Sequence, residues 1–246
     1  PYLGWEQKMD YNIGLDFRMA ALTVTADAYI ADTKDMVFNR SLLPSSGFST
    51  VTDNLGVVRN KGFELSVNYR IFQKGASWLS IFGKIAYNDN RILEISEALE
   101  SYNKLQKQQA VESGALEPVV QYYNGMPLHS IWAVQSLGID PVSGSEIFLD
   151  LNGNMTNVWS ANNLVNCGSS DPKFNGNFGI SAEIKGIGFN VVCNWYAGGY
   201  LYNTTLLNKV ENTSIGYNVD RRIFTDRWYK KGEVAQFRNG YSNAVD

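Results

Sequence analysis

The stretch KGFELSVNYRI, residues 61–71, constrains the fold more than any other part of the chain. Phe63, Leu65, Val67, Tyr69 and Ile71 take every second position, with Glu64, Ser66, Asn68 and Arg70 between them. A strand turns successive side chains to opposite faces, so this run carries one apolar face and one polar, charged face. Two kinds of wall are built that way. In an antiparallel sheet over a soluble core, water meets the polar side. In a membrane barrel, lipid meets the apolar side and an aqueous lumen meets the polar one. A single strand does not choose between them.

The pattern recurs. Tyr11, Ile13, Leu15, Phe17 and Met19 alternate with Asn12, Gly14, Asp16 and Arg18, and LTVTADAYI follows after Ala20-Ala21. These two runs predict a hairpin over about 9–32. The opening strand, the turn QKGAS and WLSIFGKIAYN predict a second over about 62–89, in which Phe82 interrupts the polar face. The segments NFGISAEI and IGFNVVCNWYA around Gly186 predict a third over about 176–198.

Each strand reads as about nine to eleven residues, which is what a tilted strand needs to cross a bilayer, whereas soluble strands are usually about five or six. The connections are lopsided. Within hairpins they are short, but between hairpins they run over about 33–60, 91–174 and 199–246. Short turns on one side and long loops on the other are the layout of outer-membrane barrels. The expected fold is therefore all-β, an antiparallel transmembrane β-barrel segment with long extracellular loops and one short loop helix. Polar positions Asn12, Asp16, Arg18, Glu64, Asn68 and Arg70 are expected to face the lumen, and Leu65, Val67 and Tyr69 to face lipid.

Strand parity allows only an even number of crossings within 91–174, and EIFLDL is too short to span, so the segment is expected to lie wholly outside. Inside it, SIWAVQSLGIDPVSGSEIFLDLNG reads as a short hairpin around Pro141-Val142-Ser143-Gly144. Ahead of it, Ile92, Ile95, Leu99, Tyr102 and Leu105 recur at helical spacing, with Glu94 or Ser96 near the start.

Composition removes several function classes. A formal charge of -3 with 21 dispersed Lys and Arg residues gives no stripe for nucleic-acid phosphates, so no nucleic-acid partner is expected. No run approaches the ~18 apolar residues of a membrane helix. Cys167 and Cys193 fit neither a disulfide framework nor a metal spacing and are expected as free thiols. His129 is the only histidine, and no constellation points to an enzyme, a cofactor or a resident metal. The stretch Asp150–Asn154, DLNGN, has alternating oxygen ligands around a Gly, but one carboxylate and no bidentate Glu at calcium-loop distance, so a polar turn is the competing reading. Opening on PYLGWEQ and closing on YSNAVD, the chain reads as a piece of a longer protein.

The chain resembles the SusC/RagA-like TonB-linked outer-membrane transporters. The segments LGWEQKMDYNIGLDF, LLPSSGFSTVTDNLGVVRNKGFELSVNYRI, YYNGMPLHSIWAVQSLGIDPVSGSEIFLD, DPKFNGNFGISAEIKGIGFNVVCNWYAGG and DRRIFTDRWYKKGEV carry the likeness in the family's order. Within NLGVVRNKGFEL, Gly56 and Gly62 read physically as turn and strand-entry residues. The resemblance implies a many-stranded barrel in the cell outer membrane, of which this is the later part. It also implies a plug and a TonB-contacting segment in a missing N-terminal region, a SusD-like surface lipoprotein as lid, and a glycan or peptide as substrate. Among the loop aromatics, which include Tyr200, Tyr202, Tyr217, Trp228 and Tyr229, the candidates for substrate contact are Tyr122, Tyr123, Trp132 and Trp159. Stacking on a ligand competes there with packing or an interfacial girdle. A soluble or surface-anchored β-sheet binding module is the other functional reading.

Overall fold

A computed structural model describes residues 3–41, 47–48, 50–113, 118–211 and 218–239. Along the chain come β1 (Gln7–Met19), β2 (Leu22–Lys34), β3 (Val37–Ser41), β4 (Thr50–Asn54), β5 (Gly56–Lys74), β6 (Ser77–Ile95) and helix α1 (Glu97–Ser113). Then follow β7 (Ser130–Val134), β8 (Ser136–Ile139), β9 (Glu146–Leu149), β10 (Met155–Thr156), β11 (Leu164–Ser169), β12 (Phe174–Ile184) and β13 (Ile187–Ala197). Short helical turns lie at Thr204–Leu206, Leu207–Glu211 and Arg222–Thr225. Among the described residues no helix is long and apolar enough to cross a membrane.

The chain divides into two compact units. The first, residues 1–102, 122–130 and 169–200, holds one antiparallel six-stranded sheet in the order β1-β2-β5-β6-β12-β13. Neighbouring strands close through two-residue turns between Met19 and Leu22, Lys74 and Ser77, and Ile184 and Ile187. At the last, Lys185 and Gly186 both take positive φ, 52° and 86°, as a type I′ hairpin turn requires.

The register puts residues of one kind in continuous rows across the sheet. Leu15, Ala26, Leu65 and Ile85 make one row, and Phe17, Val24 and Val67 the next. On the opposite face, Asp16, Thr25, Ser66, Lys84, Asn177 and Asn194 are aligned. The apolar face has no cover among the described residues: Ile13 is 74% exposed, Phe178 56% and Val191 57%. A contiguous apolar surface of that extent marks an interface with something apolar. Along β12 it runs from Ile184 to Phe174. Ten rises of about 3.4 Å, tilted by roughly 40°, project to about 26 Å, close to the apolar band of a transmembrane barrel.

The strands depart from the sequence reading in four ways. First, β1 and β2 have 13 residues each and β5 and β6 have 19 each, so only β12 and β13, with 11, have the expected length. The pairing of β5 with β6 continues past Phe63 and Tyr87 into Lys61 with Asp89 and Arg59 with Arg91, where charges on the outer side end the apolar alternation but not the ladder. Second, a bulge between Arg70 and Phe72 leaves Ile71 unpaired and brings Phe72, not Ile71, opposite Leu79. Third, Ile92 and Ile95 belong to β6, and the helix starts at Glu97, after Ser96. Fourth, Gly62 lies inside β5 rather than at its entry, while Gly56 does open the strand at φ 124°.

The second unit holds residues 103–121, 131–168 and 201–246. There β8 and β9 form the hairpin around Pro141–Gly144, extended by β10, while β7 pairs with β11.

Candidate functional site

The polar face of the six-stranded sheet gathers the charged side chains. All of the expected polar positions share it: Asn12, Asp16 and Arg18 in β1 are in register through β2 with Gly62, Ser66 and Asn68 in β5, and Glu64 and Arg70 have the same parity. Thr25 Oγ1 donates to Asp16 Oδ1 at 2.8 Å, and Ser181 Oγ to Asn190 Oδ1 at 3.1 Å. A cavity of about 350 Å³ opens here, lined by Asp27, Glu64, Lys84, Asn177 and Asn194 among others. Its acids and its single ammonium are set among amides and hydroxyls, a surface able to donate and accept hydrogen bonds without a nucleophile poised for chemistry.

Two aromatic side chains on this face cover glycines. A Cβ at Gly62 would lie 2.8 Å from Tyr29 Oη, and one at Gly179 would lie 2.6 Å from Phe82 Cζ. Phe82 therefore interrupts the polar pattern because a glycine in the next strand makes room for its ring. Sequence reading could not connect residues 82 and 179 without the register.

At the loop end this same face turns apolar. Val58 and Ile92 pair with each other, and with Leu55, Leu99, Tyr102, Tyr122 and Leu128 they form a buried core. The segment around Gly125 is tied down by backbone bonds from Gly125 N to Ile92 O at 2.7 Å and Ile92 N to Met126 O at 2.9 Å. Asn90 Oδ1 accepts from Leu128 N at 3.0 Å. Ser96 anchors the start of α1 through Oγ to Asn54 O at 2.7 Å. Residues 122–128 thus fold back over the polar face.

The four candidate aromatics separate by surroundings. Tyr122 is only 6% exposed, with its ring 5.3 Å from Phe38 and 6.1 Å from Tyr102. Burial, with Tyr102 beside it, pushes its hydroxyl above the ordinary range. Tyr123 is exposed and Trp132 is buried, while Trp159 is half-buried. Tyr200, Tyr202 and Tyr229 are exposed. Trp228 is half-buried. Tyr217 lies outside the described residues.

On the apolar face, Phe63, Tyr87 and Phe174 stand side by side with ring centroids 5.6 and 5.0 Å apart. The next two rows toward the loops bring charge onto the same face, Lys61 with Asp89 and then Arg59 with Asp32 and Arg91. Arg59 donates to both Asp32 oxygens at 2.6 and 2.7 Å, and Asp89 pairs with Arg91 at 3.1 Å. An aromatic row between an apolar band and a charged belt is the profile of a bilayer interface.

The Asp150 carboxylate is occupied by its own turn: Oδ1 accepts from Asn152 N at 2.8 Å and Asn154 N at 2.7 Å, and Oδ2 from Asn154 Nδ2 at 3.0 Å. Hydrogen bonds from Asn154 above all hold it below the usual carboxylate range. The carboxylate thus organises a polar turn. Among the described residues no three His, Cys, Asp or Glu side chains are grouped to hold a metal. Cys167 and Cys193 are both free. His129 Nδ1 lies 2.9 Å from both Asp171 oxygens.

Residues 1–130 match the family described as TonB dependent receptor-like, beta-barrel. The chain belongs to that family. Its curated relatives include TonB-dependent receptor P39 of Formosa agariphila, 25% identical over 96% of this chain, and TonB-dependent receptor SusC of Bacteroides thetaiotaomicron, 26% identical over 63%. Among solved structures, the RagAB peptide transporter superposes with a TM-score of 0.71 at 20% identity, over 97% of this chain. The RagAB peptide importer in its closed-closed state gives 0.70 at 21%, over 99%. The chain spans 26% of the P39 receptor, 16% of SusC and 26% of the RagAB transporter chain. The likeness is thus SusC/RagA-like and limited to the barrel region, in a family of outer-membrane receptors and transporters rather than enzymes.

Proposed function

We propose that this chain is the later part of the barrel wall of a TonB-dependent outer-membrane transporter that imports a large nutrient, a glycan or a peptide. In this reading the face of Asn12, Asp16, Arg18, Glu64, Asn68 and Arg70 lines the lumen, and the opposite face meets lipid. The segment 91–174 lies outside the cell and shapes the mouth, where a SusD-like surface lipoprotein closes over it. Energy comes from the TonB complex through a region outside this sequence. The observation that carries the reading is the two-faced sheet, whose uncovered apolar band projects to about 26 Å and ends in an aromatic row. The family match supports the same assignment.

The full-length gene provides the test. Its product should fractionate with the outer membrane, require detergent for extraction, and capture a lipoprotein encoded beside it. Deletion should abolish TonB-dependent uptake of the oligosaccharide or peptide that supports growth. An impermeant label should reach cysteines engineered into 97–128 on intact cells. A product that stays dispersed in water without detergent would return the chain to the binding-module reading.

A further inference from the structure

The uncovered apolar face is not smooth. In the row Ile13, Ala28, Phe63, Tyr87, Ala28 is the one short side chain, and the gap over it forms part of a groove of about 600 Å³. Tyr11, Ile13, Ile30, Phe63 and Tyr87 wall this groove. Lys61 closes its loop-side end, one row beyond Phe63 and in register with Ile30 and Asp89.

Lys61 is held loosely. Its Nζ lies 3.9 Å from Asp89 Oδ2, near the outer limit of an ion pair, and its side chain is 54% exposed. The other Asp89 oxygen is engaged by Arg91 Nε at 3.1 Å. Arg59, by contrast, is locked on both oxygens of Asp32. Lys61 is therefore the cation of this belt that can turn toward a new anion at little cost.

We propose that the groove is a binding site for an anionic membrane lipid, with an acyl chain lying over Ala28 between Ile13 and Phe63 and a headgroup phosphate at Lys61. The proposal rests on the reading that this face meets the bilayer. Three features select the occupant. The groove is continuous with the apolar band, so whatever fills it comes from hydrocarbon. Its charged end lies just past the aromatic row, at headgroup level. The charge there is positive, which complements a phosphate. A site that joins a hydrocarbon slot to an ammonium fits one amphiphilic molecule better than an apolar side of another protein.

The test uses the full-length transporter, delipidated in detergent and titrated with phosphatidylglycerol or phosphatidylcholine of identical acyl chains, with bound lipid counted by native mass spectrometry. Wild type should retain phosphatidylglycerol in preference to phosphatidylcholine. Lys61→Ala should reduce that preference about fivefold, the effect of one cation near an anionic surface, while Lys74→Ala, at the other end of the same strand, should not. Ala28→Trp fills the slot and should lower retention of both lipids. Equal retention of the two lipids by wild type, or unchanged binding in both Lys61→Ala and Ala28→Trp, would overturn the site. Heat-modifiable mobility separates this from the underlying reading: a wild-type protein that never forms a barrel refutes the membrane assignment, whereas a folded barrel without lipid preference refutes only the lipid site. Should Ala28→Trp lose that mobility, Ala28→Leu takes its place under the same criteria.

Discussion

The Tyr29 hydroxyl donates to Asn88 Oδ1 at 3.0 Å although β5 runs between their strands. The bond spans three strands because the intervening position is Gly62, in register with both. Any side chain there would meet the Tyr29 ring and the backbone of Tyr87. Tyr29→Phe removes only the hydrogen bond and should cost about 1 kcal/mol. Gly62→Val displaces the ring as well and should cost more, lowering the temperature at which the full-length barrel loses its heat-modifiable mobility further than Tyr29→Phe does. Equal shifts would mean that the tyrosine does not lie over Gly62.

The assignment of faces predicts opposite outcomes at adjacent residues. Val67 shares a row with Phe17 and Val24, whereas Asn68 shares one with Arg18 and Thr23. An arginine facing hydrocarbon near the midplane costs roughly 2–4 kcal/mol. Val67→Arg should therefore reduce the amount of folded barrel in the outer membrane, and Asn68→Arg should leave it near wild type. Equal impairment would undo the face assignment.

What was legible in the sequence is the part where apolar and polar residues strictly alternate between the two faces. Leu65, Val67 and Tyr69 against Glu64, Ser66 and Asn68 fix strand, face and register together. The upper halves of β5 and β6 were not legible because Arg59, Lys61, Asp89 and Arg91 put charge on the outer side while Val58 and Ile92 bury the inner one. The ladder continues, but the contrast that announces it reverses. Ile92 and Ile95 fall at helical spacing because a bulge at Leu93 shifts the register there. The core under Tyr122 joins residues from 55 to 128, and no local pattern encodes such a contact.

In the second unit, Trp228 clamps the β8–β9 turn. Its Nε1 donates to Pro141 O at 3.0 Å, and its ring covers Gly144, where φ is 73° and a Cβ would meet Trp228 Cδ2 and Cε3. Trp228→Phe keeps part of the cover but loses the bond, while Gly144→Val both strains the backbone and expels the ring. Protease sensitivity of the 140–145 turn should rise modestly in the first variant and strongly in the second. The opposite order would rule out the clamp.

Glu211 gives that unit a pH dependence. Burial raises its carboxyl above the usual range, and the Arg238 guanidinium, 3.6 Å away, only partly opposes this. A carboxyl with a raised native pKa binds its proton more tightly when folded, so stability from this group is complete below its unfolded pKa and declines as pH rises through the native one. Asp220, held at about 2 by the Arg222 side chain, titrates in the opposite sense and only in more acid solution. Proteolysis within 201–239 should therefore be slower at pH 4.5 than at pH 7 after correction for protease activity, and Glu211→Gln should flatten the difference. A wild-type profile that is level over that interval would exclude the effect.

The last prediction concerns what the 246 residues do by themselves. The sheet ends at β1 on one side and β13 on the other, so each edge strand carries a row of backbone donors and acceptors on its outer side. In water such edges template aggregation, and in hydrocarbon each unsatisfied group costs several kcal/mol. On the apolar face both edges are open, with Ile13 and Leu15 on β1 and Ile187 and Val191 on β13 exposed, and β13 carries none of the charges or prolines that protect natural edges. Six strands are also fewer than the eight of the smallest common membrane barrels. The isolated chain, refolded in detergent or lipid vesicles, should show no heat-modifiable band and pass no solute. Joined to the rest of a full-length barrel it should show both. A closed, flux-competent barrel from these residues alone would mean that β1 and β13 can pair with each other, and the chain would then be a complete wall rather than a section of one.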